Sequence, residues 1–292
     1  MNSGIFLVLF SSVLFAFVPN SAKIALDHGS SLLFLVFSRY LIGALILFVF
    51  IALIRGNLRI PLSTIPYVVL SSICACILIT LTYHAVDYLD VGLVMLILYC
   101  FPLGVAFISY FRGKSKIFFV QWLSMAVLIL GLYLMLSSGD QVLNLYGLFI
   151  SFLGLLFFIA FIVTASDLSE QIGATTFNLY VSILGIIFLT FGFILPLGFE
   201  MDLPLTKTGI IAIFANGIFY ISSWVLFFKG ASIIGATRSS MLACIEPLFA
   251  ALLAIILLKQ ILSITEWIGF FIVLTAIYTF ERNNTKPEVR ST

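Results

Sequence analysis

The stretch GATRSSMLACIEPLFAALLAIILL, residues 235–258, determines how the rest of the chain is interpreted. It belongs to an apolar run from Ile233 to Leu258, long enough to cross a bilayer, which takes about 20 helical residues. Glu246 and Pro247 stand near its middle. A carboxyl group at that depth costs about 3 kcal/mol or more, and the proline leaves the carbonyl of Ala243 without its helical partner. The stretch therefore predicts a kinked transmembrane helix with an ionisable group at the kink.

The amino-acid composition indicates an integral membrane protein with helical spans. Of the 292 residues, 63% are apolar and 9% are charged, whereas a soluble domain carries about 25% charged residues. A transmembrane barrel is built from short strands of alternating hydrophobicity, but the apolar runs of this chain are continuous. A net charge of +2, without a basic cluster interleaved with aromatic residues, does not suggest a nucleic-acid partner. We therefore expect an all-α fold embedded in the lipid bilayer.

Ten apolar runs are long enough to cross the membrane, and short connections leave no room for a soluble domain. The polar tail at residues 282–292 is predicted to be disordered and cytoplasmic. The first run lacks the basic residues that open a secretory signal peptide, so we expect it to be retained as a span. The predicted spans cover residues 3–22, 32–54, 64–86, 91–111, 117–136, 145–165, 176–198, 208–228, 234–258 and 262–281.

The cysteine and histidine patterns predict no metal site, disulfide framework or cofactor. The four cysteines, Cys74, Cys76, Cys100 and Cys244, lie within apolar runs, where we expect them to pack as small apolar residues. The chain has two histidines and neither an HExxH nor a CxxC motif, the spacings typical of metal and redox sites.

Basic residues define an expected orientation, because Lys and Arg concentrate in cytoplasmic loops. With the N-terminus inside, ten basic residues lie in cytoplasmic segments and three, Lys23, Lys207 and Lys259, lie outside. This bias predicts that both termini are cytoplasmic, in a bacterial inner membrane.

The chain also repeats itself weakly. A shift of 145 residues places Pro102 on Pro247 and lays QWLSMAVLILGLYL over EWIGFFIVLTAIYT. The two halves, residues 1–137 and 144–281, each hold five predicted spans. Because five is odd, the second half enters the membrane from the opposite side. This predicts two inverted five-helix repeats, an architecture of many secondary transporters, with a substrate site near the midplane.

Three segments carry a family resemblance. The second span, LLFLVFSRYLIGALIL, holds a single arginine, Arg39, and the segment TLTYHAVDYLDVGLVMLILYCFPLGVAFISYF passes from the third span to the fourth with a midspan proline, Pro102. The ninth span starts with Gly235 and Ala236 and carries the Glu-Pro pair. In these features the sequence resembles the EamA family of the drug/metabolite transporter superfamily, over nearly the whole chain.

This resemblance implies a ten-helix carrier or facilitator of small organic metabolites, often an exporter, linked to protons or another gradient. The chain departs from the family at two positions, because Lys114 and Lys259 stand where an acidic residue often follows spans four and nine. The departure puts in question an ion pair between the repeats at those positions, but not the fold.

Glu246 is the first candidate for a substrate or proton site. Burial disfavours the charged form of a carboxyl group, which suits a residue that exchanges a proton or binds a cationic substrate group. The structural alternative is that the Glu-Pro pair only shapes the kink, with the acid tied to a neighbouring helix. The family resemblance favours this alternative, because the pair recurs in carriers of unlike substrates, and the sequence leaves both open.

Span eight presents Asn216, Tyr220 and Ser223 on one helical face, with Trp224 beside them. Their spacing of four and three residues is that of one face of a helix. Such groups suit a polar cavity in which aromatic rings stack on a substrate. The alternative is hydrogen bonding between helices, worth about 0.6 kcal/mol on average in membranes.

Spans three and four add further candidates. Ser72, Cys76, Thr80 and Tyr83 form a polar stripe on span three, and because polar groups suit lipid poorly we expect the stripe to face the bundle interior. Tyr99 on span four is a candidate cavity aromatic. Substrate contact and simple interior packing both remain possible for these residues.

Arg39 and Asn20 complete the predicted substrate-binding set. Arg39 lies about a third of the way into span two, where a guanidinium must be paired or reach the interface. One interpretation is that Arg39 is a counter-ion for an anionic substrate group. We favour the alternative, an ion pair with Asp87 or Asp90 on the outer side of the membrane. Asn20 follows Pro19, where we expect the first helix to break. Either the exposed backbone at this break reaches the cavity, or the span simply ends there.

We therefore expect a secondary transporter, monomeric or homodimeric, that moves an amino acid or a related zwitterionic or cationic compound. No GxxxxGK[ST] phosphate-binding loop occurs, so energy would come from a gradient, with protons as a candidate coupling ion. One alternative is a membrane enzyme built on His84, Asp87 and Asp90. Another is a membrane subunit without a transport path, which would lack a midplane cavity.

Overall fold

The computed structural model describes residues 3–56, 58–136, 144–194, 201–258 and 262–284. Within these ranges every regular element is helical, and ten spans are long and apolar enough to cross a membrane. The predicted all-α fold with ten membrane spans is thus confirmed. The helices are α1 (Ser3–Asp27), α2 (Leu32–Leu53), α3 (Ile65–Val86, after a 3₁₀ turn at Leu62–Thr64), α4 (Val91–Leu98), α5 (Phe101–Phe111), α6 (Phe119–Leu136), α7 (Leu145–Ile172), α8 (Ala174–Ile194), α9 (Lys207–Ile234), α10 (Ala236–Ala243), α11 (Glu246–Leu258) and α12 (Ile264–Asn284).

Two of these spans are interrupted at corresponding places. Residues 99–100 separate α4 from α5, and residues 244–245, one repeat shift of 145 residues later, separate α10 from α11. Pro102 and Pro247 each lie in the first turn of the helix after the break, where a missing N–H removes no helical hydrogen bond. The structure thus has the kink predicted at the Glu-Pro pair, where Cys244 and Ile245 form turns by donating to the carbonyls of Met241 and Leu242. The first repeat has an equivalent interruption at residues 99–100.

The two repeats pack against each other reciprocally. The first helix of each repeat packs on the third helix of the other, α1 on α9 and α7 on α3. The second helices pair as α2 with α8, and the last helices pair as α6 with α12. Such an exchange of partners is what two copies related by an approximate two-fold axis produce, in agreement with the inverted repeat expected from the sequence.

α7 and α9 extend about two turns beyond the predicted sixth and eighth spans. Each ends before a glycine with positive φ, 83° at Gly173 and 85° at Gly235, a conformation that ends helices and that glycine adopts without strain. The apolar pattern stops before Asp167 and Lys229. Because the prediction relied on hydropathy alone, it placed the ends of both helices too early.

α1 continues without interruption past Pro19 to Asp27. The prediction that the helix breaks or ends near Asn20 is therefore wrong. A proline inside a membrane helix is tolerated where neighbouring helices stabilise the span, and α1 packs closely on α9.

The last helix also corrects a predicted boundary. α12 extends to Asn284, so the first residues of the tail predicted as disordered from residue 282 are helical. Residues 285–292 of that tail lie outside the described residues, as does Lys259.

α6 and α12 approach each other closely through glycines. A Cβ atom at Gly269 would lie 2.5 Å from the carbonyl oxygen of Gly131, and one at Gly131 would lie 2.9 Å from the backbone nitrogen of Val273. Small residues permit this close approach of helix backbones in membranes. The contact joins the last helix of one repeat to the last helix of the other.

Gly269→Ala will destabilise the protein, because the new methyl group would overlap backbone atoms of α6. We expect a loss of about 1–3 kcal/mol, the usual cost of overpacking, measured as a lower midpoint of thermal unfolding in detergent. Gly154→Ala is the matched control, because a Cβ there would lie 3.7 Å from its nearest neighbour, the Cβ of Leu81. Equal midpoints for the two variants would contradict this account of the helix contact.

Candidate functional site

A cavity of about 240 Å³ lies between the two repeats and is lined by helices from both. Its walls are mostly apolar and aromatic, and two of its lining side chains, Arg39 and Glu246, are charged types. This combination of an apolar pocket with a few polar groups is typical of small-molecule sites. Six of the residues predicted to bind substrate line it: Arg39, Tyr83, Tyr99, Tyr220, Trp224 and Glu246.

The lining follows the internal repeat. Several lining positions of the first repeat have a counterpart 145 residues later that also lines the cavity. The cavity therefore lies where the approximate two-fold axis relates the repeats. The pairs are Ala75 with Tyr220, Ile79 with Trp224, Thr82 with Phe227, Leu98 with Ala243 and Phe101 with Glu246.

Glu246 reaches the cavity because it is the first residue of α11, directly after the break. Its counterpart Phe101 is the first residue of α5 and lines the same cavity. The Tyr99 hydroxyl, from the other break, is close enough to the Glu246 carboxyl to interact with it. The two interrupted spans thus bring a carboxyl group, a phenol and an aromatic ring together.

Arg39 is held by hydrogen bonds across the bundle. It is 9% exposed, its Nε donates to Oδ1 of Asn216 at 2.5 Å, and its guanidinium lies 5.3 Å from the ring centroid of Tyr220. Asn216 in turn donates from Nδ2 to the carbonyl of Val18 at 2.7 Å and to Oγ of Ser21 at 3.0 Å. A guanidinium carries five N–H donors, and the bond to Asn216 uses one of them.

The predicted pair between Arg39 and Asp87 or Asp90 is therefore wrong. Asp87 instead lies 3.4 Å from Nδ1 of His84, on an exposed loop. α2 is rotated about its axis so that Arg39 points towards α9 and not towards the loop that carries Asp87 and Asp90. None of His84, Asp87 and Asp90 lines the cavity.

The other four predicted residues do not line the cavity. Thr80 is exposed and donates to the carbonyl of Cys76 on its own helix, so the expectation that it faces the interior is wrong. Ser223 is buried and donates to the carbonyl of Phe219 at 2.6 Å. Asn20 is buried and donates to the carbonyl of Ala16 at 2.8 Å. Asn216, the fourth, accepts a hydrogen bond from the lining residue Arg39.

Several cavity residues were not predicted from the sequence. The chain has 31 phenylalanines, and no sequence signal distinguishes those that face the cavity from those that face lipid. The aromatic walls missed in this way are Phe15, Phe101, Phe158, Phe161 and Phe227.

Trp224 brings an N–H donor to the cavity wall, near the Tyr220 hydroxyl. Its indole Nε1 is buried and has no hydrogen-bond partner, although its ring contacts Phe15 edge-on at 5.0 Å between centroids. Buried donors are normally satisfied. The unpaired N–H in the cavity wall is thus a group that a bound molecule can use.

Asn216→Leu will destabilise the protein, because it removes the acceptor of a buried, charged donor. We expect a loss of about 1.5–3 kcal/mol, the usual value of a hydrogen bond to a charged group, measured by thermal unfolding in detergent. Thr80→Val is the control, since that hydroxyl is exposed and bonded within its own helix. An Asn216→Leu midpoint as high as that of the control would show that Asn216 does not hold Arg39.

Comparison with known proteins identifies the family and the fold. Residues 2–137 and 145–281 each match the EamA-like transporter family. A 52-residue segment is 38% identical to a protein named as uncharacterized inner membrane transporter YicL of Salmonella typhimurium strain LT2, a match that spans 18% of this chain and 17% of that relative. A solved crystal structure aligns with a TM-score of 0.77 over 98% of this chain and 100% of its own, at 16% identity, and so shares the fold. The chain belongs to the EamA-like transporter family.

Proposed function

We propose that this protein is a secondary transporter that moves a small organic metabolite across the bacterial inner membrane by alternating access. The observation that carries the proposal is the cavity between the repeats, which holds Arg39 and Glu246 in apolar surroundings. Ionisable residues inside membrane spans are costly and generally mark substrate or ion pathways. Membership of a transporter family supports the same conclusion.

The substrate class we propose is an amino acid or a related zwitterionic or cationic compound. Glu246 provides a partner for a cationic group, and the guanidinium of Arg39 retains donors for a carboxylate. The unpaired N–H of Trp224 adds a neutral donor. The surrounding aromatic rings suit an apolar substituent or stack on a cation.

Contacts at one end of the bundle support a closed gate there. Trp224 stacks on Phe228 at 5.2 Å between centroids, and Phe161 and Phe177 pack edge-on against Phe228. Phe177 and Phe228 are completely buried. These rings separate the cavity from the end of the bundle where α7 and α9 end.

An ion-pair cluster joins the repeats beyond these rings. Asp167 of α7 accepts from Arg112 at 2.6 Å and from Lys114 at 2.5 Å. Lys114, one of the two residues that depart from the family pattern, thus takes part in an ion pair between the repeats, with the acid supplied by α7. In alternating access this cluster and the aromatic rings would separate as the opposite end closes.

Glu246 offers a simple way to couple transport to protons. Only the ionised carboxyl group pairs with a cationic substrate group, so a proton and the substrate compete for the same site. A proton gradient would then drive the substrate in the direction opposite to proton flow.

The proposed activity is tested with purified protein in two steps. A thermal-unfolding screen of metabolites identifies compounds that raise the midpoint, because a ligand that binds the folded state stabilises it. Counterflow in liposomes then measures exchange of a labelled hit across the membrane. Hits that bind but are not exchanged, in a preparation that retains its native midpoint, would contradict the transport proposal.

Glu246→Gln will abolish pH-dependent transport, because glutamine keeps the size and hydrogen-bonding groups of the side chain but does not ionise. We expect its uptake rate in proteoliposomes to be the same at mildly acidic and mildly alkaline pH. Glu266→Gln is the matched control, since its carboxyl caps the start of α12, where it accepts from the backbone of Ser263. A Glu246→Gln protein with the wild-type pH profile would rule out the proton site.

The proposed orientation, with both termini cytoplasmic, predicts which end of the bundle faces outward. Leu62 and Leu205 are 84% and 87% exposed at opposite ends. In a cysteine-free background, Leu205→Cys in intact cells will react with a membrane-impermeant thiol reagent, and Leu62→Cys will react only after permeabilisation. The reverse pattern would place the termini outside.

A further inference from the structure

A second cavity, of about 460 Å³, lies between the repeats at the end of the bundle where α5, α7 and α9 end. It shares no lining residue with the central cavity. Its walls come from the α5–α6 connection of the first repeat and from α7 and the start of α10 in the second. Arg112, Lys114 and Asp167, the ion-pair cluster of the proposed gate, form part of its wall, but the transport proposal assigns it no ligand.

Cationic side chains outnumber acidic ones in this cavity. Asp167 and Glu170 are its acids, and its cations are Arg112, Lys114, Lys116 and Arg238. Arg238 is paired with Glu281 of α12, so the surplus of positive charge lies on the α5–α6 connection. The carboxylate of Asp167 forms ion pairs with both Arg112 and Lys114. Because an ammonium has three N–H donors and a guanidinium five, both side chains keep donors that this one carboxylate does not use.

The start of α10 adds backbone donors. Gly235 precedes it with φ 85°, and no side chain caps the helix. The first amides of a helix lack intrahelical acceptors and lie at the positive end of its dipole, so a helix start is favourable for an anion. A Cβ at Gly235 would meet nothing within 4 Å, which shows open space beside these amides.

Ser166 supplies an independent indication of a ligand. It lines the same cavity, it is 2% exposed, and its hydroxyl has no hydrogen-bond partner. Buried hydroxyls are normally paired. On the same helix, Ser151 donates to the carbonyl of Gly147 at 2.8 Å. The Ser169 hydroxyl is buried and unpaired like that of Ser166, but Ser166 is the one of the two that lines this cavity.

We propose that this cavity binds a phosphate group. Cationic, amide and hydroxyl donors approach it from three separate elements, an arrangement that suits a tetrahedral anion with several acceptor oxygens better than a planar carboxylate. Such a group is carried both by soluble phosphorylated compounds and by the headgroups of anionic lipids, and the two sources are distinguished by experiment.

The test uses the full-length protein in neutral detergent and follows its thermal unfolding. One arm adds sodium phosphate against sodium chloride at equal ionic strength, and the other adds phosphatidylglycerol against phosphatidylcholine. A rise in midpoint specific to phosphate indicates a soluble ligand, and a rise only with phosphatidylglycerol indicates a lipid headgroup. No specific rise in either arm would overturn the proposal and would leave the transport proposal unaffected.

Two variants locate the binding. Ser166→Ala and Lys114→Gln will each weaken the affinity about tenfold, as expected for the loss of one hydrogen bond to a charged group. Ser151→Ala and Lys23→Gln are the matched controls, on the same helix and on α1 at the other end of the bundle, and will keep the wild-type affinity. Because the Ser166 hydroxyl has no partner, its removal is expected to preserve the fold. Wild-type affinity in both test variants would exclude this cavity as the site.

Discussion

The structure depends on one constraint: a membrane span that is broken in its middle must turn the break away from lipid. Backbone N–H and C=O groups that lose their helical partners at a break are tolerated only where protein or a water-filled cavity surrounds them. A carboxyl group beside them must also be kept away from lipid. Both broken spans of this chain place the first residue after the break, Phe101 and Glu246, in the wall of one cavity. The reciprocal packing of the repeats follows from bringing the two breaks together.

The frame around this cavity is nearly symmetric, but its chemistry is not. On the third helix of each repeat the lining positions correspond, yet the first repeat offers Ala75 and Ile79 where the second offers Tyr220 and Trp224. The first repeat therefore leaves room, and the second supplies aromatic surface and an N–H donor. In this way a nearly symmetric helix scaffold can form both the inward-open and the outward-open state of a carrier. The asymmetric lining favours one orientation of the substrate.

Much of this arrangement could be predicted from the sequence. The ten spans and the kink at Glu246 depend on local hydropathy and on proline, which act within a few residues, and the repeat shift follows from matching such local patterns. The faces of the helices were harder to predict. Four residues advance a helix by about 400°, so a stripe at steps of four drifts around it, and Thr80 is exposed although Ser72 is buried. Similarly, the partner of Arg39 is 177 residues away, and only the packing of α2 on α9 determines it.

The central claim is that water reaches a cavity between the repeats, and thiol accessibility tests it most directly. Met95 and Ile79 line the cavity, whereas Val94, beside Met95 on α4, is completely buried in packed side chains. In a cysteine-free protein, the account predicts that cysteine at position 95 or 79 reacts with a water-soluble thiol reagent and that cysteine at position 94 does not. If positions 95 and 79 were as unreactive as position 94, the centre of the bundle would be dry and the account would be contradicted.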